Sequence, residues 1–591
     1  MNLRERLTQR NIIIAVAVLV VGLMSAAYFV LRRPPRVPME KYVPASALAF
    51  IEIDNLTDVV SGLASTRAWR EMAPVLGISS QIKLASFVAD LIGRTGIGPD
   101  VAVLAGRAQC AFVLMGVDGK AEIGEETLSF HLKPRWTFII ETHANSSRAA
   151  RVMHEWSPSL ARRIFGDSFV EESAEHQGEL LSIFRSSDAE RELVTVTTGS
   201  RIVISNNREA VRSCLDAIAG RAATLADNDT LKQMRPRIGQ NAQVFGFVTE
   251  SGIEHLIALA PVIIASRSRV EPKSLAAFAE LFDHLSKQST AGFLYASEFT
   301  REEVTEKFLT VLRQPVAEGL VELLKPASRA SFEALNIVPR DVSDVTVWIV
   351  ERAGDLPERA LQALAPRVDV VARIALQEFI ISYRKRYGLE PSDSVGDAVG
   401  DGVTIINFGD GNSAAMIFRV RDKDKLLVNI GRYLRKDNSR LSIEQYKDVE
   451  IALSTNEDGR AAAYVGDFLV LGTREQIIRI VDARASGNSI ATDERLKQAI
   501  DERPSGATIF AFRPDTKDAG ELMLAISKLT PATNGSRKLL EQDAARKAMA
   551  RIPPSLSYTE FRDYGIYTET RSAVGSFTIL GRLIGGSEES R

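Results

Sequence analysis

Cysteine, histidine and net charge are all scarce in this chain of 591 residues, and each shortage closes off a class of function. There are two cysteines, Cys110 and Cys214, so the four- or six-cysteine spacing of a disulfide scaffold is missing. Each lies in an apolar-patterned stretch and reads as a small buried core residue, with one disulfide between them left open. The six histidines are His131, His143, His154, His176, His255 and His284. None has a second histidine four residues on, which a helical zinc site needs because positions i and i+4 share a face. Lys and Arg total 73 against 75 Asp and Glu, a formal net charge of −2. With both signs mixed along the chain, the basic footprint of a general nucleic-acid binder is absent.

Nucleophile and phosphate motifs are missing as well. No Gly-x-Ser-x-Gly elbow occurs, and Ser80 to Lys83 satisfies Ser-x-x-Lys without the companion Ser-Asp-Asn and Lys-Thr-Gly. "VGDAVGDG", Val395–Gly402, lacks the Gly-Lys-Ser/Thr ending of a phosphate loop and reads as a loop entering a strand. The pairs Asp227/Asp229 and Asp422/Asp424 lack the sixth-place Gly and twelfth-place Glu of a calcium loop. Asp227, in "ADNDTLKQ", reads instead as a helix N-cap. The expectation is no catalytic residue, no cofactor and no metal ligand.

What the chain does have begins with Ile12–Leu31, an uncharged run whose only polar side chains are Ser25 and Tyr28. Twenty residues at about 1.5 Å each span roughly the 30 Å hydrocarbon core of a bilayer, longer than the apolar part of a cleaved leader. The expectation is a retained signal anchor at 12–31 with a short cytoplasmic tail at 1–11. Arg4, Arg6 and Arg10 before it nearly balance Arg32, Arg33, Arg36 and Lys41 after it, so loop charge does not set orientation. Long domains translocate with little regard to such charges, which favours a body outside the cytoplasm. Residues 32–41, rich in Pro and Arg, read as an extended stalk holding that body roughly 30 Å from the membrane.

A second positive feature is internal. "DNDTLKQMRPRIGQNAQVFGFV" from Asp227 matches "TDERLKQAIDERPSGATIFAFR" from Thr492 in pattern, and "GSRIVISNNREAVRSCLDAIAG" from Gly199 matches "GDFLVLGTREQIIRIVDARASG" from Gly466. Each reads as strand, turn, helix, glycine stop, short helix, strand. Weaker echoes place "VPASALAF" at Val43 beside "VPRDVSDV" at Val338, and the segment from Thr95 beside that from Tyr387. Two copies of one unit are expected, 42–315 and 330–585, with "KPASRAS" near the joint. "TFIIETH", "EKFLTVL" and "AAMIFRV" alternate like half-buried antiparallel strands, and "GVDGK" at Gly116 and "GDGNS" at Gly409 read as turns. "SSRAARVMHEWSPSLARRIF" and "SLAAFAELFDHLSKQ" read as helices. The fold class is α+β: mainly antiparallel sheet with helices packed on one face.

The opening "YVPASALAFIEIDNLTDVVSGLASTRAWREMAPVLG", with "VGDFLVLGTREQIIRIVDA" at Val465 and "ATDERLKQAI" at Ala491, resembles a bacterial family of membrane-anchored extracytoplasmic proteins known only as a domain of unknown function. The resemblance implies the anchor, the compartment and the repeat, and adds no catalytic residue. Hairpin insertions around Gly116–Pro134 and Ser173–Arg191 set this chain apart. The functional expectation is a single-pass protein of the bacterial cytoplasmic membrane that binds or scaffolds without catalysis, by a groove at the joint between halves. Its partner would be another envelope protein or an apolar ligand, and "SGIEHLIALAPVIIAS", Ser251–Ser266, is apolar enough to line a groove. The alternatives are a carrier or chaperone for lipid or lipoprotein and an envelope hydrolase with a scattered site.

Overall fold

The computed structural model of the chain describes residues 36–576, apart from 77–105, 107, 124–127, 266–286, 328–331, 388, 391–394, 410–413, 436–439, 456–458, 514–519 and 521–542. The expected tail and anchor at 1–31, Ser80 to Lys83, His284 and most of "SLAAFAELFDHLSKQ" lie outside the described residues. Among those described, no helix is long and apolar enough to cross a membrane.

Among the described residues ten strands belong to the first half: β1 (Ala49–Ile53), β2 (Gln109–Ile123), β3 (Leu128–Glu141), β4 (Phe169–His176), β5 (Glu179–Ser186), β6 (Glu192–Thr198), β7 (Arg201–Ser205), β8 (Val244–Val248), β9 (Thr290–Phe299) and β10 (Val304–Leu312). All pair antiparallel, in the spatial order β4-β5-β6-β7-β3-β2-β1-β8-β9-β10. The second half contributes β11 (Asp344–Trp348), β12 (Val403–Asn407), β13 (Ala415–Arg419), β14 (Leu441–Tyr446), β15 (Val449–Ser454), β16 (Arg460–Val465), β17 (Phe468–Thr473), β18 (Ile509–Arg513), β19 (Ser555–Arg562) and β20 (Gly565–Ser572). Their order is β14-β15-β16-β17-β13-β12-β11-β18-β19-β20, the same path traced again. The last strand of each half, β10 and β20, pair antiparallel from Val304↔Ser572 to Val311↔Gly565 and join everything into one sheet. Corresponding strands meeting antiparallel place a local two-fold axis at the seam.

Helices repeat with the strands. In the first half they are α1 (Leu56–Ser65), α2 (Arg67–Met72), α3 (Ser146–Phe165), α4 (Arg208–Ile218), α5 (Asp229–Ile238), α6 (Glu250–Ala265) and α7 (Gln314–Leu323). In the second, α8 (Leu356–Leu364), α9 (Val370–Tyr387), α10 (Lys423–Leu434), α11 (Arg474–Ser486), α12 (Glu494–Asp501) and α13 (Asp543–Met549) are the longer ones. The α4–α5 pair and the α11–α12 pair each follow a strand by a two-residue turn or less. They are separated by Gly220 (φ 71) and Gly487 (φ 69), left-handed positions that glycine occupies without strain. The sequence echo at Val43 and Val338 has a matching contact: Leu225 N–H donates to the Val43 carbonyl, and Ile490 N–H to that of Val338.

Each half buries alternate strand residues beneath these helices. In the first, Phe50, Val113, Phe245, Phe247, Leu294 and Leu309 meet Val211, Leu215, Leu231 and Met234 of α4 and α5. In the second, Val345, Val347, Ile417, Phe510 and Phe512 meet Ile477, Ile480 and Leu496. Helices were expected on one face only, but α3 covers the other. Ala149, Met153 and Ala161 pack there on Phe184, Leu193, Ile202 and Ile204. The helix α10 does the same in the second half, through Leu426 and Leu434 on Ala462 and Leu469. The physical reason is that β5–β7 and β15–β17 are apolar on both sides, and a second apolar face needs its own cover.

Other expectations are also corrected. Residues 36–41 are not a free stalk. Arg36 donates to the Ala242 carbonyl at 2.7 Å and pairs with Asp54, Val37 N–H donates to Gln109 at 2.8 Å, and Met39 is fully buried. "GVDGK" is not a turn but lies inside β2, beside a register shift between Leu114 and Gly116. The hairpin within Ser173–Arg191 has a counterpart in the second half, formed by β14 and β15. The β2–β3 extension through Gly116–Pro134 does lack a counterpart, since β12 ends at Asn407 and β13 begins at Ala415.

Candidate functional site on the sheet face at the seam

The face opposite α4, α5, α11 and α12 carries the second set of alternating strand residues, and register shows how they line up. Running outward from the seam into the second half, Glu306 lies opposite Thr570, Thr570 opposite Ser557, Ser557 opposite Ala511, and Ala511 opposite Thr346. The row that corresponds by the local two-fold runs the other way. Thr568 lies opposite Phe308, Phe308 opposite Tyr295, Tyr295 opposite Gly246, Gly246 opposite Ile51, and Ile51 opposite Phe112. One row is built of small hydroxyl residues, the other of aromatic and branched apolar ones.

The hydroxyl side holds a cavity of about 380 Å³. Its floor is Thr570, Ser557 and Thr346, its near wall is Glu306, and its far end is Arg513 and Asp344. Such a volume falls within the roughly 300–1,000 Å³ of small-ligand sites. Ser557 and Thr570 hydroxyls hydrogen-bond each other at 3.1 Å, as do Thr559 and Thr568 at 2.9 Å. Burial raises the pKa of Asp344, opposed by the Arg513 charge and a hydrogen bond with Asn407.

Glu306 is 3% exposed. It accepts from the Tyr295 hydroxyl at 2.6 Å and from Ser576 N–H at 2.9 Å, and among the described residues no Lys or Arg forms an ion pair with it. Burial, then the Glu306 charge, raises the Tyr295 pKa, so the phenol stays protonated and donates. The chain crosses Glu306 at Gly575, where φ is 59° and a Cβ would stand 3.1 Å from the Glu306 carboxyl carbon, so glycine is required. Gly575 N–H is held by Ser572 Oγ at 2.9 Å. Just before it, Ala573 and Val574 anchor this crossing on a small core of α2 and α13 residues, including Trp69, Met72 and Ala548.

On the aromatic side Ile51 is 45% and Phe112 43% exposed, although both belong to strands in the middle of a half. Phe112 stacks on Trp136 (ring centroids 6.3 Å apart, 24° between planes), and Tyr295 leans on Phe308 at 5.3 Å. Offset and tilted pairs of this kind add about 0.5–1.5 kcal/mol beyond the area they bury.

The residues weighed from sequence fall elsewhere. His143 lies two residues beyond β3 with φ 54, its pKa lowered by burial. His176 contacts Asp216 at 3.1 Å, and His255 bonds the Ser251 carbonyl one turn back on α6. His154 is exposed on α3, and His131 lies in β3. Among the described residues no cluster of three or more His, Cys, Asp or Glu is placed to hold a metal. Both cysteines are free thiols, Cys110 on β2 and Cys214 on the buried side of α4, and burial pushes each up to about 12. Asp227 is not the N-cap of α5. Asn228 is, accepting from Leu231 N–H at 3.0 Å, while Asp227 accepts from Thr224 N–H at 3.2 Å. Asp422 caps α10. Val395–Gly402 forms a single turn, Val395–Ala398, and then enters β12. The described start of "SGIEHLIALAPVIIAS" leaves Leu256 49% exposed on α6.

Glu306 and Phe308 stood in the quoted "EKFLTVL", where alternation already puts them on one face; which strands would flank them was not legible. No family model, curated protein or solved structure matches this chain.

Proposed function

We propose that this chain is a non-enzymatic binding or scaffolding protein of the bacterial envelope, built from two copies of one α+β unit, whose ligand lies on the sheet face at the seam. The observation that carries this reading is the pair of rows that leave the seam in opposite directions on one sheet face. A mid-sheet surface with Ile51 and Phe112 exposed runs into a 380 Å³ cavity lined by Glu306 and by Ser and Thr hydroxyls across the β10–β20 junction. Large exposed apolar side chains rimmed by polar ones mark binding surfaces. Among the described residues the hydroxyl pairs Ser557–Thr570 and Thr559–Thr568 have no histidine or lysine as hydrogen-bond partner, which favours binding over nucleophilic catalysis.

The uncharged run at 12–31 and the resemblance to anchored envelope proteins support a single-pass anchor with the body outside the cytoplasm. Because the chain is packed from Arg36, the five residues after Leu31 span at most about 18 Å, so the body rides close to the bilayer. Proteolysis of intact spheroplasts, with fragments mapped by mass spectrometry, tests this. Release of peptides from residue 36 onward supports it, and protection until lysis overturns it. For the binding claim, Phe112→Ser should abolish function in a fold-intact protein. Loss of function on changing one Ser, His or Asp away from this face would overturn the non-enzymatic reading.

The exposure of Ile51 and Phe112 favours one second reading, a carrier for lipid or lipoprotein. Lipid co-purifying with the wild type and lost from Phe112→Ser would support it.

A further inference from the structure

Resting on that reading of the seam face, we infer that its ligand is an amine-bearing lipid-like amphiphile, with its ammonium group at Glu306 and its apolar chain along Phe308, Tyr295, Ile51 and Phe112.

The first argument is charge. A carboxylate taken out of water costs several kcal/mol unless a cation or a full set of donors compensates it. Among the described residues Glu306 has two donors, the Tyr295 hydroxyl and Ser576 N–H, for about four acceptor sites, and no cationic partner. It is also a wall of the cavity, so its open sites are reached from there. An ammonium group brings three donors and the opposite charge, the complement of what is missing. A phosphate or carboxylate head would meet repulsion at the same place.

The second argument is the division of the face. Beside Glu306, Thr570, Ser557 and Thr346 present hydroxyls in consecutive cross-strand positions apart from Ala511. These suit the ester, hydroxyl or amide groups next to a lipid amine. In the other direction, four strand steps separate β10 from β2, about 19 Å at roughly 4.8 Å per step. Along that path lie Phe308, Tyr295, Gly246, Ile51 and Phe112. Gly246 leaves a shallow trough: the Cβ it lacks would stand 3.5 Å from Ile51 and 3.6 Å from Tyr295. A chain laid there covers Ile51 and Phe112, the most exposed apolar residues of these strands among the described residues. A purely apolar ligand leaves the hydroxyl floor and Glu306 unused, and a small hydrophilic amine leaves Ile51 and Phe112 in water.

The test uses the full chain in a solubilised form and two probes below their micelle concentrations, dodecylammonium and dodecyl maltoside, with binding read by calorimetry and by Trp136 fluorescence. Dodecylammonium is expected to bind the wild type about tenfold or more tighter than the maltoside, the scale of a charge-assisted hydrogen bond. Glu306→Gln should remove that preference and leave maltoside binding within about twofold, while Phe112→Ser should weaken both probes about tenfold. Equal binding of the two probes by the wild type, with Phe112→Ser still weakening both, overturns the amine assignment and leaves the seam face as a binding site. Absence of binding by either probe, or indifference of both to Phe112→Ser, overturns the proposed site as well. Should Glu306→Gln fail to fold, the wild-type ratio of the two affinities decides the matter alone.

Discussion

Beneath the Met39–Tyr42 turn of the first half, Arg235 sits between Glu40, at 2.6 Å, and Glu52, with its guanidinium 4.5 Å over the Phe245 ring. Beneath the Phe332–Ile337 turn of the second half, the corresponding residues are Ile500, Leu335 and Val347, and the ring is Phe510. Register supports the match: Glu52 lies opposite Phe245 and Val347 opposite Phe510, while Asp54 N–H bonds the Gln243 carbonyl as Ile349 N–H bonds that of Thr508. One scaffold therefore supports an ionic core and an apolar core at the same place. Burial raises the Glu52 pKa against the pull of Arg235, so the ionic version is held by its pairing and not by the site's liking for charge. The backbone plan does not dictate core chemistry; it dictates that whatever is buried be satisfied.

The sharpest way to break this comparison is Arg235→Ile, which installs the second half's residue alone. It leaves Glu40 and Glu52 without their cation and should cost about 3–5 kcal/mol, read as a lowered urea midpoint. Installing the whole apolar set, Glu40→Leu with Glu52→Val and Arg235→Ile, should instead be neutral or stabilising by up to about 4 kcal/mol. A triple variant as damaged as the single one would show that the halves differ in more than charge here.

Smaller effects separate the two helix caps. Asn228 begins α5 and Asp493 begins α12, at matching positions, and Ala at either should cost about 1 kcal/mol near neutral pH. They diverge on acidification. The Arg495 hydrogen bond holds the Asp493 carboxyl below its usual range, against the effect of burial. Its contribution is complete above the unfolded pKa near 4 and is lost as pH falls through the lower folded value. The cost of Asp493→Ala should therefore shrink below about pH 4 while that of Asn228→Ala holds steady, in parallel urea titrations.

The smallest signal reads one half alone, because both thiols are in the first. With Cys214 buried and its thiol pushed up to about 12, maleimide at pH 7.5 should leave it unlabelled in the native protein. Arg235→Ile should speed Cys214 labelling, and Val347→Asp in the second half should not.

Local signals were the legible ones. The Leu231-Lys232-Gln233 and Leu496-Lys497-Gln498 helices, their glycine stops and the alternation around Phe308 and Met416 depend on neighbours a few residues away, and the sequence carries them openly. Asp227 was misplaced by one residue because three consecutive polar residues can each cap, and only backbone direction chooses among them. The facing of Glu306 by Thr570 joins residues far apart in the chain, and no periodicity encodes which strand edges meet. The stalk was misread because Pro34, Pro35 and Pro38 argue for extension but carry no information about a waiting surface, here the one formed by Asp54, Gln109 and Ala242.

The meeting of β10 with β20 has a consequence for direction. Two identical units joined about a two-fold axis would offer a surface that reads the same from either end, and a bound molecule could lie on it both ways round. Carrying both units on one polypeptide releases them from having to match. Phe308 has become the counterpart of Thr570, and Ile51 of Thr346. A symmetric plan has thereby acquired a front and a back, and anything long enough to cross its midline can be held in a single orientation.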